Sequence, residues 1–222
     1  MHQPMTAPEV LTRLRAHANP ANVAGMARYG ISSAGTLGVP IPVLRALAKE
    51  CGRDHALAAE VWASGVHEAR ILASLIDDPA LVTRRQMNAW AREFDSWDVC
   101  DQCCQNLFRY TPVAWEMAVK WSAAKPEFVR RAAFSLMAGL AVKAKDAPDA
   151  RFEALLPLIA AAATDERNMV RKAVNWALRA IGKRNPQLRA RAIATAREIR
   201  AVDSPAARWI AADALRELCQ HT

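Results

Sequence analysis

At 222 residues the chain is long enough for one large domain or two small ones, and 52% hydrophobic with 23% charged residues is the balance of a globular protein. Alanine supplies 47 residues against only 8 Gly, a composition that favours helix and leaves little to pair across a sheet. A disordered chain, a collagen-like chain and an all-β sandwich are thereby excluded. The net charge of +8 is unevenly spread: residues 1–118 carry 11 basic and 12 acidic side chains, residues 119–222 carry 19 and 10. A basic second half points to a polyanionic partner, or to a solvated basic surface.

Taken in chain order, Thr6-Ala-Pro-Glu9 reads as a capping box that opens the first helix, and Asn19-Pro20 opens the second. The Gly- and Pro-rich stretch from Gly30 to Pro42 is the one long irregular segment. Beyond it, periodicity and punctuation predict helices at about 42–51, 54–64, 66–77, 80–94, 96–109, 112–123, 126–144, 149–163, 166–183, 186–201 and 204–219. The apolar run Ala154–Ala163 contains Pro157 and is too short to span a bilayer. The first residues show no basic region followed by an apolar run, and the five cysteines are clustered rather than spread as in a disulfide scaffold. A cytoplasmic protein that does not enter the membrane is expected.

The second helices of successive pairs resemble one another. Val129-Arg-Arg-Ala-Ala-Phe-Ser-Leu136 recurs 41 residues later as Val170-Arg-Lys-Ala-Val-Asn-Trp-Ala177, with weaker echoes at Glu68–Leu75 and Arg208–Leu215. Helix pairs repeating at this period predict an all-α, HEAT-like (armadillo-type) α-solenoid of paired antiparallel helices. Because such units do not bury their apolar faces alone, one continuous domain over 1–222 is expected, with its chemistry on the second helices.

Three constellations carry chemical interest. On the helix near 166–183, Lys172, Trp176, Arg179 and Lys183 fall on one face opposite the apolar stripe of Val170, Ala173, Val174, Ala177, Leu178 and Ile181. Cations around an indole make a surface for nucleic acid, or a plain cation–π pair. Trp97 and Asp101 stand four apart on the helix near 96–109, so ring and carboxylate share a face. Such a pair either stabilises a cation developing between them or is an indole beside a solvated acid. Arg131, placed with Ser135 away from the core-facing Val129, Ala132, Ala133 and Leu136, is either a phosphate clamp or an ordinary surface arginine. Cys100 and Cys104 share a face, but no second Cys or His pair stands at ligand spacing, so no metal is expected. No Gly-rich nucleotide loop is present either, and no cofactor is expected.

In sequence order, Met26-Ala-Arg-Tyr29, Leu37-Gly-Val, Pro42-Val-Leu-Arg45, Ser96-Trp-Asp-Val-Cys-Asp101, Arg131-Ala-Ala and Arg171–Arg179, ending at Lys183-Arg-Asn-Pro186, resemble the AlkD-type DNA alkylation-repair family. The resemblance covers roughly residues 20–200. It implies a HEAT-like solenoid that hydrolyses the glycosidic bond of cationic N3- or N7-alkylated purines, chiefly 3-methyladenine and 7-methylguanine. By the same resemblance, Trp97, Asp101 and Trp176 are the catalytic residues and Arg131 contacts phosphate. The DNA contacts expected are Tyr29, Arg131, Lys172, Arg179 and Lys183. The partner is double-stranded DNA with alkylated bases, met by a monomer. Ser96 stands where the family often has a second Trp, and the 30–41 loop departs from the family pattern. Some relatives on this scaffold bind DNA without glycosylase activity. A DNA glycosylase, a non-catalytic DNA-structure binder and a HEAT protein-interaction scaffold are thus the three functions to be separated.

Overall fold

Helix starts follow the capping residues. The Thr6 amide donates to the Glu9 carboxylate at 2.8 Å and opens α1 (Ala7–Ala16) as the expected capping box. The Asn19 side chain accepts from the amides of Ala21 and Asn22 and opens α2 (Pro20–Ala27). After an irregular loop come α3 (Ile41–Cys51), α4 (His55–Ala63), α5 (His67–Ile76), α6 (Arg84–Arg92), α7 (Trp97–Asn106) and a 3₁₀ turn, Phe108–Tyr110. The chain continues as α8 (Ala114–Trp121), α9 (Glu127–Lys143), α10 (Asp149–Glu153), α11 (Leu156–Ala162), α12 (Asn168–Gly182), α13 (Pro186–Arg200) and α14 (Pro205–Cys219). The computed structural model describes residues 5–220, and no strand occurs among them. Nor is any helix among the described residues long and apolar enough to cross a membrane.

Three helices differ from their predicted extents, each for a local reason. The segment predicted at 80–94 becomes helical only at Arg84. Asp78 first accepts the Ala80 amide in a turn, and the Thr83 hydroxyl then caps the helix through Gln86. The segment at 149–163 splits into α10 and α11, because Pro157 has no amide to donate and its ring crowds the carbonyl four residues back. The helix predicted at 96–109 stops at Asn106 and tightens into the 3₁₀ turn.

The chain forms two compact units, one ending at Pro112 and the other beginning at Val113. In the first, α5 is the central element and packs on α3, α4 and α7. Its core includes a stack of Trp62 on Trp90 with centroids 4.0 Å apart, flanked by Phe94 and Phe108. In the second unit α12 packs on α9 and on α14, so the helices whose sequences echo one another are the ones that stack. Small residues permit the close approach: Ala132, Ala133, Ala173, Ala177 and Ala211 are fully buried. Gly182 adds to this closeness, since a Cβ there would lie 2.8 Å from the end of the Leu218 side chain and oblige it to shift. The outer helices α8, α11 and α13 cover the other side of this row.

Candidate functional site

α7 is oriented by its apolar side. Val99, Cys100, Cys103 and Cys104 are fully buried, and Trp97 and Asp101 lie half-buried at the edge of that apolar side, one turn apart. Burial pushes the Cys103 thiol well above its ordinary range. Trp97 is held at its edge, with its Nε1–H donating to the backbone carbonyl of Tyr29 at 3.0 Å. Tyr29 itself is 71% exposed at the end of α2. Two residues singled out from distant parts of the sequence are thus adjacent in the fold.

Behind Trp97 lie two residues that sequence reasoning did not assign to the site. His67, buried at the start of α5, meets the Asp98 carboxylate with Nε2···Oδ2 at 2.8 Å. Burial alone lowers an imidazole pKa, but the Asp98 hydrogen bond and the charges of Asp98, Glu68 and Asp95 outweigh it and raise that of His67. Burial likewise opposes ionisation of Asp98, yet its bonds to His67, with help from Ser96 and Val99, keep its carboxyl below the ordinary value. Glu68, only 1% exposed, accepts the backbone amides of Leu37 at 2.8 Å, Gly38 at 2.6 Å and Val39 at 3.3 Å. A buried carboxylate needs such donors, and here they come from the irregular loop. The one sequence signal for either residue was a His-Glu pair opening a helix whose only other charged residue is Arg70.

The 30–41 loop is therefore a fixed structure. Beyond Glu68, it is held by Asn19 N–H to Leu37 O at 2.8 Å, Asn22 Nδ2 to Gly38 O at 2.9 Å and His67 N–H to Gly35 O at 2.9 Å. Gly38 has φ 78°, and a Cβ there would lie 2.2 Å from the Asn19 carbonyl, so no other residue fits. The loop, α2, α5 and α7 line an open cleft of about 450 Å³ bordered by Tyr29, His67, Glu68, Trp97, Asp98 and Gln102, within the usual range of small-molecule sites.

In the second unit the expected cationic stripe lies on α12, but the acids of α14 alter it. Lys172 is exposed and Trp176 half-buried. Arg179 pairs with Glu217 and stands 3.6 Å from Asp213, and Lys183 also pairs with Glu217. Asn175 is buried and donates to Asp213 at 2.6 Å. Two of the four cations counted for polyanion binding thus spend charge on α14, which the sequence did not disclose because the acids lie 30 or more residues away. Arg131 needs a larger correction. It and Ser135 are buried rather than turned outward, and Arg131 Nη1 donates to the Met169 carbonyl of α12 at 2.6 Å. The close packing of α9 on α12 covers the side of α9 that periodicity had left open. Neighbouring Arg130 is likewise engaged, with Asp165 at 3.0 Å and the Ser122 carbonyl at 3.0 Å.

With the geometry in place, comparison with known proteins assigns the family. The family described as DNA alkylation repair enzyme matches residues 10–218. This chain belongs to that family. A solved structure described as "a new family of proteins related to the HEAT-like repeat DNA glycosylases with affinity for branched DNA structures" superposes with a TM-score of 0.80. The match covers 98% of this chain and 95% of that one at 18% identity, and it shows that the alkylation-repair chain has the HEAT-like repeat fold. No curated protein matches the chain. The expected family and the all-α HEAT-like fold class are both borne out.

Proposed function

We propose that this member of the DNA alkylation repair family is a DNA glycosylase acting on cationic N3- or N7-alkylated purines in duplex DNA. The observation that carries the reading is α7, which presents a carboxylate, Asp101, one turn from an indole, Trp97, whose edge is anchored to Tyr29. Alkylation at a ring nitrogen leaves the base positively charged and ready to depart. The pair of electrons in the C1′–N bond passes to the ring and cancels its charge, and the sugar becomes an oxocarbenium-like cation. Asp101 stabilises that cation and orients the water that adds to C1′, taking up or passing on its proton; the Trp97 face adds its negative quadrupole. The products are the free base and an abasic site. Lys172 and Trp176 on α12 contact the DNA backbone, with Arg179 and Lys183 contributing as far as Glu217 releases them. No cofactor takes part.

A second reading has its own support. The similar structure bears a description of affinity for branched DNA, which favours a DNA-structure binder without catalysis. Release of 3-methyladenine and 7-methylguanine from methylated duplex DNA separates the two. The glycosylase reading requires release by the wild type and a fall of roughly a hundredfold or more in Asp101→Asn, which keeps the shape and removes the charge. Absence of release by the wild type together with tight binding of a four-way junction would establish the second reading instead.

A further inference from the structure

The row of α14 that faces α12 changes character at its first turn. Trp209, Asp213 and Glu217 fall four residues apart on α14 and meet Arg171, Asn175 and Arg179, likewise four apart on α12. Two rungs of this ladder are acidic: Glu217 holds Arg179 and Lys183, and Asp213 holds Asn175 and Arg216. At the remaining rung the partner is an indole, with the Arg171 guanidinium over the Trp209 ring and 5.1 Å from its centroid. A carboxylate in this register cancels the charge of the cation it holds. A ring face holds the cation and leaves its charge whole.

Arg171 is thus fixed without being neutralised. Its hydrogen bonds go to the uncharged Oδ1 of Asn168, from Nε at 3.3 Å and from Nη2 at 3.2 Å. These use two of the five N–H groups of a guanidinium and leave three for another acceptor. Arg208, also on α14, pairs with Asp203 at 2.9 Å. Among the described residues, Arg171 and its exposed neighbour Lys172 are therefore the cations of α12 and α14 that no carboxylate pairs. Trp209 is 38% exposed, so filling the core does not account for so large a ring there.

We infer that Arg171, set in place by Trp209, is a phosphate contact for duplex DNA, with Lys172 beside it. A planar fork with donors to spare matches the two unesterified oxygens of a phosphodiester, and two adjacent uncancelled charges suit the phosphate backbone. Trp209 is a positioning residue: a guanidinium already laid on a ring loses less freedom when it binds. The inference rests on DNA binding, which both functional readings share, and does not depend on catalysis.

The test measures binding of the full chain to a short undamaged duplex by fluorescence anisotropy across a salt series. Arg171→Gln removes the charge and should weaken binding about three- to tenfold, with the log–log salt slope reduced by about 0.9. Arg171→Lys keeps the charge and loses the fork, so the slope should hold while affinity falls a few-fold. Trp209→Glu continues the acid row of α14 to this rung and should lower the slope with Arg171 intact, whereas Trp209→Phe keeps a ring face and should stay within about twofold of wild type. In the Arg171→Gln background, Trp209→Glu should cost little more. Helical circular dichroism and cooperative melting confirm that each variant is folded, and where Trp209→Glu does not fold, the two Arg171 variants decide. An Arg171→Gln protein with wild-type affinity and slope, or a wild type that does not bind the duplex, would overturn the inference. Equal losses from Trp209→Glu in both backgrounds would overturn the positioning role of Trp209. A reduced slope in Arg171→Gln without base release by the wild type supports the contact while defeating the glycosylase reading, and release with an unmoved slope does the reverse.

Discussion

The indole N–H of Trp97 donates to the main-chain carbonyl of Tyr29 at 3.0 Å, across 68 residues of sequence. An acceptor that belongs to the backbone leaves the indole little freedom to rotate, so the ring face beside Asp101 is set before any DNA arrives. Trp97→Phe keeps a ring and loses the anchor. A hydrogen bond of this kind contributes about 1 kcal/mol, so base release from methylated DNA should fall several-fold in this variant, with the melting temperature close to wild type. Activity equal to wild type would show that the anchor does not matter.

The His67–Asp98 pair makes the first unit pH-sensitive in a defined direction. His67 is raised above its ordinary 6.5 in the folded protein, so its contribution is complete below that value and is lost as pH rises through the folded pKa. Asp98 is held below its ordinary 3.8, so its contribution is present above that value and is lost as pH falls through the folded pKa. The pair is therefore most stabilising between the two. Thermal melts of wild type and His67→Gln should differ most near pH 5 and converge as pH rises through the folded pKa of His67. A gap that widens as pH rises would contradict the pairing.

Glu68→Gln retains the shape and removes the charge that three loop amides share. Hydrogen bonds to a charged acceptor contribute about 1.5–3 kcal/mol, so the loop should open more easily by roughly that amount. Amide exchange at Leu37, Gly38 and Val39 is expected to accelerate by about tenfold or more, with the helices of the second unit unaffected. Unchanged exchange at those amides would remove Glu68 from its role.

Arg131→Ala is expected to act on stability before it acts on DNA. The guanidinium is buried against α12 and donates to Met169 O, so its loss leaves a void and an abandoned acceptor. Denaturant unfolding should show a loss of about 2–4 kcal/mol. Unchanged stability with weakened DNA binding would instead make Arg131 a phosphate contact.

Glu217→Gln releases Arg179 and Lys183 from the carboxylate that now holds both. Affinity for duplex DNA should rise a few-fold at low salt, and the dependence on salt should steepen, by up to about 0.9 in log–log slope for each added phosphate contact. Affinity that stays level would place this face of α12 outside the DNA contact.

The sequence by itself determined the helical class, the repeat and the face shared by Trp97 and Asp101. These are local matters: alanine content, capping residues and a spacing of four decide them within a turn or two of chain. Even the stacking of α9 on α12 was legible, because neighbouring repeats that pack alike keep similar residues at the contact. Tertiary structure alone decided the rest. Arg131 looks exposed by periodicity and is buried, because α12 approaches on a side that α9 taken alone leaves open. Arg179 and Lys183 look free and are paired, because Glu217 reaches them from α14. Glu68 reads as one acid in an apolar helix, and its purpose emerges only when the loop folds three amides onto it. Charge and burial depend on neighbours distant in sequence, and periodicity along one helix does not contain them.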